Sequence, residues 1–384
     1  MAKVWWVGCK GPSSLTVAAR KRNATKRVAW ASDQKPQGAW RRPFSTWNGA
    51  IASTSSENRC SASKRPKAAG SVEETFFDLE RSDSEYQQRK QVLRKQATKG
   101  RRERGGEKMR LKGKVAIVSG ASRGIGRTIA LALAKEGAKI VIAAKTVEPN
   151  PKLPGTIHTV AAEIDQLGGE SLAVQTNLRN ADEIDSLVRQ TMERFGRIDI
   201  LINNAGALWW YPVAQTPANR FDLVMDVNVR ATFLLSQAVL PHMKAAGGGH
   251  IINMSPPIDF SVMPGKVAYM ISKFGMTMTA MGLAKEVKKD RISVNALWPV
   301  TLIESFATIN FGLGDKSKWR KADILADATL AIVTKAPGEL TGKALLDEDL
   351  LRKEGITDFS VYNCVPDGEP MRIVWDGVEA GKID

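Results

Sequence analysis

The chain has 384 residues, with 56 Lys and Arg against 40 Asp and Glu, and a formal net charge of +16 at pH 7. Most of this charge lies in residues 1–70, which hold fourteen basic and two acidic residues, whereas residues 109–384 hold 32 basic and 30 acidic ones. A nearly neutral body argues against a nucleic-acid partner, since nucleic-acid-binding domains need a concentrated basic face.

The sequence also argues against a metal-binding protein and against a membrane-spanning one. The three cysteines and three histidines are scattered, so neither a disulfide framework nor a metal centre is expected. No uninterrupted apolar run approaches the roughly 18 residues that span a bilayer. We therefore expect a soluble body without a transmembrane segment.

The first hundred residues differ from the body. Residues 1–70 are rich in Arg, Lys, Ser and Ala and poor in acids, which is typical of an organelle transit peptide; a disordered basic arm is the alternative. The segment RRPFST favours a mitochondrial address over a plastid or cytoplasmic location. Residues 71–108 are dense in mixed charge and predict a charged linker, with a helical stretch around 72–97 compatible with the pattern.

From Met109 onward, short β-branched runs alternate with helical patterns, which predicts βαβ units and a parallel sheet with one hydrophobic core over residues 109–384. The predicted strands are 114–120, 138–144, 171–175, 198–203, 249–254, 292–297 and 343–347. The predicted helices are 126–137, 156–168, 180–195, 217–244, 267–289 and one near 321–335.

The first strand runs directly into the glycine-rich sequence GASRGIG. Glycines at this turn let the backbone approach a pyrophosphate, and the free N–H groups of the following helix then bind the anion. In a first βαβ unit the spacing indicates a dinucleotide-binding loop, so the predicted fold class is α/β, a single Rossmann-type doubly wound parallel sheet. The candidate cofactor-binding residues here are Gly120, Ser122, Arg123, Gly124, Ile125 and Gly126.

The end of the second strand indicates which dinucleotide binds. It reads Ala143-Ala144-Lys145 and lacks the carboxylate by which an NAD-preferring site binds the ribose 2′-hydroxyl. Arg123 lies in the glycine loop and Lys145 directly follows the strand, so two cations suit a 2′-phosphate. The sequence therefore predicts NADP(H) in preference to NAD(H); the alternative is that Lys145 is a solvated residue at a strand end.

A tyrosine and a lysine form a candidate acid–base pair. Tyr269 and Lys273 are four residues apart in a predicted helix, so they share one face. A phenol with a pKa of about 10 is a poor base at neutral pH, but a nearby ammonium group favours the phenolate. Such a pair can take the proton of an alcohol or return it to a carbonyl.

Two amide-containing segments accompany that pair. The strand at 198–203 ends in LINNAG, where small residues let the backbone approach a ligand. Asn228 lies within a predicted helix, where a buried asparagine needs a specific polar partner. The candidate cofactor contacts after the strand are Asn204, Ala205 and Gly206.

Taken together, these motifs resemble the short-chain dehydrogenase/reductase family over residues 112–299. The segments AAKTVEPNPKLPGTIHT, INMSPP, VNALWP and DEDLLRKEGITDFSVY are similar to the hydroxysteroid dehydrogenase-like protein 2 group, over about residues 110–366. Some members of that group add a sterol-carrier domain, which this sequence is expected to lack, and the final GKID does not match a peroxisomal address. The resemblance implies an oxidoreductase that forms a homodimer or homotetramer through the helices at 217–244 and 267–289.

The resemblance also implies individual roles. The tyrosine that matches Tyr269 is the family's proton donor or acceptor, and the lysine that matches Lys273 lowers its pKa and holds the nicotinamide ribose. The asparagine that matches Asn228 anchors a water relay. The positions that match the adenosine end of the cofactor site are Arg123, Lys145 and Asn177.

Two positions depart from the family pattern. The substrate-orienting serine usually precedes the tyrosine by thirteen residues, where this chain has Pro256. Ser255 is one residue off and points elsewhere in a regular strand unless the prolines re-aim it; it is the candidate catalytic serine, with Ser261 as an outside candidate. The usual Pro-Gly after the sixth strand reads Pro-Val here, and the candidate cofactor contacts in that segment are Pro299 and Thr301.

Bulky apolar residues are expected around the substrate and favour a lipid-like alcohol or carbonyl, either fatty-chain or steroid-like. Ordinary packing explains each of them equally well. The misplaced serine leaves a rival hypothesis, an NADP(H)-binding sensor or scaffold protein with weak or no turnover. The predicted lining residues are Trp209, Trp210, Tyr211, Phe260, Val262, Met263, Ile303, Phe306 and Phe311.

Overall fold

A parallel sheet lies at the centre of the fold. The computed structural model describes residues 109–150 and 153–373. Its strands are β1 (Val115–Ser119), β2 (Lys139–Ala144), β3 (Ser171–Gln175), β4 (Ile200–Asn203), β5 (Gly249–Met254), β6 (Ile292–Trp298) and β7 (Ala344–Leu346). They pair in parallel in the order β3-β2-β1-β4-β5-β6-β7. In doubly wound sheets of this order, the ligand crevice lies at the carboxyl ends of β1 and β4.

Helices connect the strands and cover both faces of the sheet. Local signals define several ends: the side chain of Asn180 accepts from the N–H of Asp182 at the start of one helix, and Gly196 ends that helix with φ of 71°. The helices are α1 (Gly124–Lys135), α2 (Ile157–Gln166), α3 (Ala181–Phe195), α4 (Ala218–Val224), α5 (Ala231–Ala245), α6 (Val267–Glu286), α7 (Phe306–Asn310), α8 (Asp323–Val333) and α9 (Asp347–Lys353).

The strand β1 is buried on both sides. Val115 and Ile117 pack in a cluster with α3, α5 and α6, whereas Ala116 and Val118 pack in a second cluster with α1, α2 and α8. This two-sided burial explains the uninterrupted apolar run at the start of the body, since parallel strands are covered by helices on both faces. The sheet therefore divides the expected single core into two clusters.

The predicted fold class and all seven predicted strands are confirmed. The predicted helix 217–244 is irregular, because a π-helical turn at Met225–Arg230 separates α4 from α5. The sequence pattern does not predict α7 and α9, which have only five and seven residues and too few turns to show a period. The predictions for residues 1–70 and 71–108, and the last part of the predicted domain, 374–384, lie outside the described residues.

One helical run in the described part of the chain, Ala218–Ala245, is long and apolar enough by length and composition to cross a membrane, with a mean hydropathy of 1.3. A single such run is weak evidence for a span, because core helices pass the same test. Leu235, Val239 and Met243 of this run are fully buried against the sheet. Polar residues interrupt this helix, so a search for uninterrupted apolar runs in the sequence does not find it.

Candidate active site

The glycine turn after β1 packs directly against the segment after β4. A Cβ on Gly120, which has φ of +67°, would lie 2.8 Å from the Cα of Ala205, and one on Gly126 would lie 2.5 Å from the Nδ2 of Asn204. The Ser119 hydroxyl accepts the N–H groups of Asn204 and Ala205 at 3.0 and 3.1 Å. Only glycine fits at both positions, and the two loops form one wall of the crevice.

The remaining loop residues are held by the surrounding fold. Ser122 is buried, and Ile125 packs partly buried against the core. Arg123 has an extended backbone just before α1, and its guanidinium donates to the carbonyl oxygens of Pro154 (3.2 Å) and Gly155 (2.9 Å). Its side chain is therefore oriented by backbone acceptors and not by a carboxylate.

The two other predicted adenosine-end residues lie after β2 and β3. Lys145 is exposed, and its side chain has no hydrogen bond or ion pair within residues 109–150 and 153–373. Asn177 is also exposed; its N–H donates to Glu183 at 2.7 Å, and its Oδ1 accepts from the N–H of Arg179 at 3.3 Å. Because β2 and β3 are adjacent in the sheet, both residues lie at the same edge of the crevice.

Asn228 lies fully buried in the π-helical turn Met225–Arg230. Its Oδ1 accepts from the N–H of Ala207 at 2.7 Å, and its Nδ2 donates to the carbonyl of Ala207 at 3.0 Å and to the hydroxyl of Ser272 at 2.8 Å. Ser272 in turn donates to the carbonyl oxygen of Tyr269 at 2.6 Å. The amide therefore joins the loop after β4 to the first turn of α6.

Tyr269 and Lys273 lie in the first two turns of α6, as the sequence indicates. The Lys273 Nζ is buried and donates to the carbonyl of Met254, the last residue of β5, at 2.8 Å. The Tyr269 hydroxyl has no hydrogen bond to any residue in the described part of the chain. The ring of Trp210 packs edge-on against Tyr269, with centroids 5.8 Å apart. The hydroxyl is therefore uncommitted among the described residues, and the ring beside it packs against an aromatic side chain.

Burial controls the ionisation of this pair. It lowers the pKa of Lys273 to about 8 and raises the pKa of Tyr269 above its ordinary value. The direction at Tyr269 is opposite to the lowering that the sequence predicts from a neighbouring ammonium group. The reason is geometric: Lys273 donates to the carbonyl of Met254 and to the sulfur of Met276, not to the tyrosine oxygen.

The prediction that Ser255 orients the substrate is not supported by its position. Ser255 is buried, its Oγ lies 2.8 Å from the Oγ1 of Thr277, and it accepts from the indole N–H of Trp298 at 3.2 Å. The hydroxyl therefore belongs to a polar cluster inside the core and not to the site around Tyr269. The outside candidate, Ser261, is exposed and donates to Asp259 at 2.6 Å.

The turn after β6 is fixed by a residue that the sequence interpretation missed. The N–H of Val300 donates to Asp347 Oδ1 at 3.0 Å, and its carbonyl accepts from the N–H of Ile373 at 2.8 Å. Pro299 is half-buried beside it, and the buried Thr301 hydroxyl has no hydrogen-bond partner among the described residues. The turn is thus rigid without the usual glycine, and it retains one uncommitted hydroxyl.

Asp347 is unusual among the described acidic residues because its carboxyl group is fully buried and its pKa is raised. It is fully buried at the start of α9, and its Oδ1 also accepts from the N–H of Glu348 at 2.7 Å. Burial raises the pKa of Asp347 to about 7. The sequence signal was the acidic run DEDL, which is typical of a first helical turn; nothing in that run indicates which of its acids turns inward.

The predicted apolar lining is only partly brought together. Trp210 packs against Phe311 with centroids 5.0 Å apart, and Trp209 packs against Tyr211 at 4.5 Å. Ile303 instead packs in the core. Phe260 is 75% exposed and Val262, Met263 and Phe306 are half-buried.

The model of the family described as short chain dehydrogenase matches residues 114–308. The chain belongs to the short-chain dehydrogenase/reductase family. Members of this family are oxidoreductases that use a nicotinamide cofactor. Hydroxysteroid dehydrogenase-like protein 2 from Homo sapiens is 46% identical over 266 residues, and the Danio rerio protein is 45% identical over 265. Each match covers 68% of this chain, and the chain spans 63% of the length of these curated relatives.

Solved structures of short-chain dehydrogenases are similar as well. A short chain dehydrogenase from Mycobacterium thermoresistibile is 41% identical, with a TM-score of 0.65 over 69% of this chain and 95% of that chain. A metagenomic short-chain oxidoreductase in complex with NADP is 30% identical, with a TM-score of 0.54 over 62% of this chain and 97% of that chain. The arrangement found here fits a dinucleotide, because a Cβ on Gly124 would meet no atom within 4 Å, and the Thr301 hydroxyl and Lys145 have no partners in the described part of the chain.

Replacing Ser255 with alanine tests its place in the core cluster. We expect Ser255→Ala to lower the free energy of unfolding by about 1 kcal/mol, because Trp298 and Thr277 lose a buried partner. Turnover should stay within about twofold, since the hydroxyl does not face Tyr269. Ser261→Ala, at an exposed position, is the control and should change neither quantity. Denaturant unfolding and steady-state rates measure both; a large loss of turnover at unchanged stability would restore Ser255 as a catalytic residue.

Asp347 gives the fold a pH dependence. Its pKa of about 7 in the folded state exceeds the unfolded value, so its contribution to stability is complete at pH values below the unfolded pKa and is lost as the pH rises through about 7. Between pH 5 and pH 8 the unfolding free energy of the wild type should fall on the order of 2 kcal/mol more than that of Asp347→Asn. The exposed Asp349→Asn is the control and should follow the wild type. Equal slopes for wild type and Asp347→Asn in urea unfolding would contradict this assignment.

Proposed function

We propose that the chain interconverts an alcohol and a carbonyl with NADP(H), and that Tyr269 transfers the proton. The observation that carries the proposal is the hydrogen-bonded link from Asn228 through Ser272 to the first turn of α6, beside a crevice walled by glycines. This link fixes the helix turn that carries Tyr269. The Tyr269 hydroxyl, which has no partner among the described residues, is available to a substrate oxygen.

In the reducing direction, the protonated phenol of Tyr269 is the proposed proton donor. When bound, the nicotinamide cofactor supplies the hydride. Burial keeps the Tyr269 phenol protonated at neutral pH, so it can donate its proton to a carbonyl oxygen as that oxygen gains negative charge. Lys273, whose pKa burial lowers to about 8, donates to the carbonyl of Met254, so we propose that it acts on the phenolate by its charge and not by a direct hydrogen bond.

The preference for NADP(H) rests on two cations. Lys145 follows β2 without an acidic partner in the described part of the chain, and Arg123 is held only by carbonyl oxygens. Ala144, the last residue of β2, offers no carboxylate to a ribose hydroxyl. A 2′-phosphate satisfies both cations, whereas a 2′-hydroxyl satisfies neither.

A lipid-like substrate is supported by the aromatic side chains next to the tyrosine. The ring of Trp210 packs against those of both Tyr269 and Phe311, so aromatic residues from the loop after β4 and from the end of α7 meet next to the tyrosine ring. Such a lining binds an apolar body and leaves the polar atom for the acid–base pair. The proposed substrates are fatty-chain or steroid-like alcohols and carbonyls.

A homodimer or homotetramer formed through α5 and α6 is also part of the proposal. Phe233 on α5 and Ile271 and Met278 on α6 are 55%, 42% and 68% exposed. Ile271 and Met278 are seven residues apart and therefore lie on one face of the helix. Large apolar side chains grouped on adjacent helices are typical of a subunit interface.

A second candidate is an NADP(H)-binding protein without turnover. One observation favours it: Pro256 stands where a substrate-orienting hydroxyl is expected, and the Ser255 hydroxyl lies in the core. The two candidates agree on cofactor binding and differ on reduction of a carbonyl.

Turnover by the full chain separates these candidates. We expect NADPH oxidation with apolar ketones or aldehydes, and a loss of at least about 100-fold in kcat in Tyr269→Phe at unchanged NADPH affinity. The control Tyr362→Phe removes a hydroxyl that donates to Asp327 at 2.8 Å, away from the site, and should keep its kcat. NADPH binding without oxidation across fatty-chain and steroid carbonyls would favour the sensor or scaffold.

A carboxylate placed after β2 tests the cofactor preference. We expect the wild type to bind NADP⁺ more tightly than NAD⁺. Lys145→Asp should reduce the ratio of NADP⁺ affinity to NAD⁺ affinity at least about tenfold, because the new carboxylate repels a 2′-phosphate and accepts a hydrogen bond from a 2′-hydroxyl. Lys112→Asp, at an exposed position before β1, is the matched control. Titration calorimetry with both nucleotides measures the constants, and tighter NAD⁺ binding by the wild type would overturn the preference.

A further inference from the structure

Among the described residues, the Arg123 guanidinium is hydrogen-bonded along one edge only. Its Nε donates to the carbonyl oxygen of Pro154 at 3.2 Å, and its Nη2 donates to that of Gly155 at 2.9 Å. A guanidinium has five N–H groups, so the opposite edge retains three donors. No carboxylate within residues 109–150 and 153–373 pairs with this side chain. The free edge is therefore available to an anion, and its direction is set by two backbone carbonyls.

Gly155 can occupy this place only because it lacks a side chain. Its φ is +97°, and a Cβ there would lie 2.4 Å from the carbonyl oxygen of Ser122 and 3.3 Å from the Cβ of Arg123. The residue therefore lies in direct contact with the backbone of the glycine-rich loop. Any larger residue must move either that loop or the carbonyl that holds Arg123.

The chain on the carboxyl-terminal side of Gly155 is anchored. The hydroxyl of Thr156 accepts from the N–H of Thr159 at 3.1 Å and caps α2. The N–H of Ile157 donates to the carbonyl oxygen of Thr146, two residues beyond β2, at 3.1 Å. The two carbonyls that hold Arg123 are therefore tied to both β2 and α2, the elements that flank the adenosine end of the crevice.

We propose that Pro154 and Gly155 form a backbone clasp that positions Arg123 for the 2′-phosphate of NADP(H), so that Gly155 is a specificity-determining residue although it does not touch the nucleotide. This inference rests on the proposed NADP(H) preference and deepens it. A free arginine side chain loses rotamer entropy when it is ordered by a ligand, and the clasp removes part of that cost before binding. The benefit is specific to a ligand that contacts the guanidinium, so it applies to NADP(H) and not to NAD(H).

Gly155→Ala tests the clasp, with Gly168→Ala as the matched control. Gly168 also has a positive φ, +72°, but a Cβ there would meet no atom within 4 Å. Both changes strain the backbone similarly, and only the first displaces the clasp. We expect Gly155→Ala to raise the Kd for NADP⁺ about tenfold more than the Kd for NAD⁺, because a shift of the glycine-rich loop weakens both nucleotides whereas loss of the clasp weakens only NADP⁺. Gly168→Ala should change neither Kd. Titration calorimetry on the full chain measures both constants.

Arg123→Lys provides a second variant in case Gly155→Ala does not fold, which thermal unfolding will show. Lysine keeps the charge but cannot reach both carbonyls and the phosphate at once, so the same selective loss of NADP⁺ affinity is expected. If both variants lose affinity for NADP⁺ and NAD⁺ equally, so that the ratio of the two Kd values stays unchanged, the proposed role of Gly155 is wrong. The proposed preference for NADP(H) would still stand. Tighter binding of NAD⁺ than of NADP⁺ by the wild type overturns both.

Discussion

The buried amide of Asn228 is the interaction on which the site depends. It has hydrogen bonds to both backbone groups of Ala207 and to the hydroxyl of Ser272, so one side chain connects the loop after β4 to the start of α6. A buried amide that loses such partners costs about 1–3 kcal/mol, which makes the three segments one cooperative unit. The π-helical turn places the amide in line with Ala207; π-helical turns inside α-helices are frequent at functional sites.

The two departures from the family pattern have different structural consequences. The missing glycine after β6 is compensated, because Asp347 accepts from the N–H of Val300 and Ile373 donates to its carbonyl. The turn is therefore held from α9 and from the segment that follows it. The missing hydroxyl before α6 is not compensated by either predicted serine, since the hydroxyl of Ser255 faces Thr277 and Trp298.

The fold and the positions of most candidate site residues within it could be predicted from short-range patterns. The glycine loop, the tyrosine–lysine spacing and the strand ends follow from local periodicity and steric need, so the strands are recovered within a few residues. Features that depend on contacts distant in sequence could not be predicted. Asp347 and Val300 are 47 residues apart, and Gly155 meets Ser122 across 33 residues of sequence. The π-helical turn at Asn228 is equally invisible, because it leaves the helical pattern of polar and apolar residues intact.

The missing hydroxyl before α6 bears on how the proposed substrate would be oriented. With Ser255 directed into the core, Tyr269 is the one proposed acid–base hydroxyl that stays without a partner among the described residues. A single hydrogen bond leaves a small substrate free to rotate about it, so productive orientation requires further contacts. Trp210 and Phe311 provide an extended aromatic surface next to that hydroxyl. A substrate with a large rigid or long apolar body gains orientation from that surface, whereas a small polar carbonyl does not. The absence of the hydroxyl therefore supports the same lipid-like substrate class that we propose from the aromatic lining.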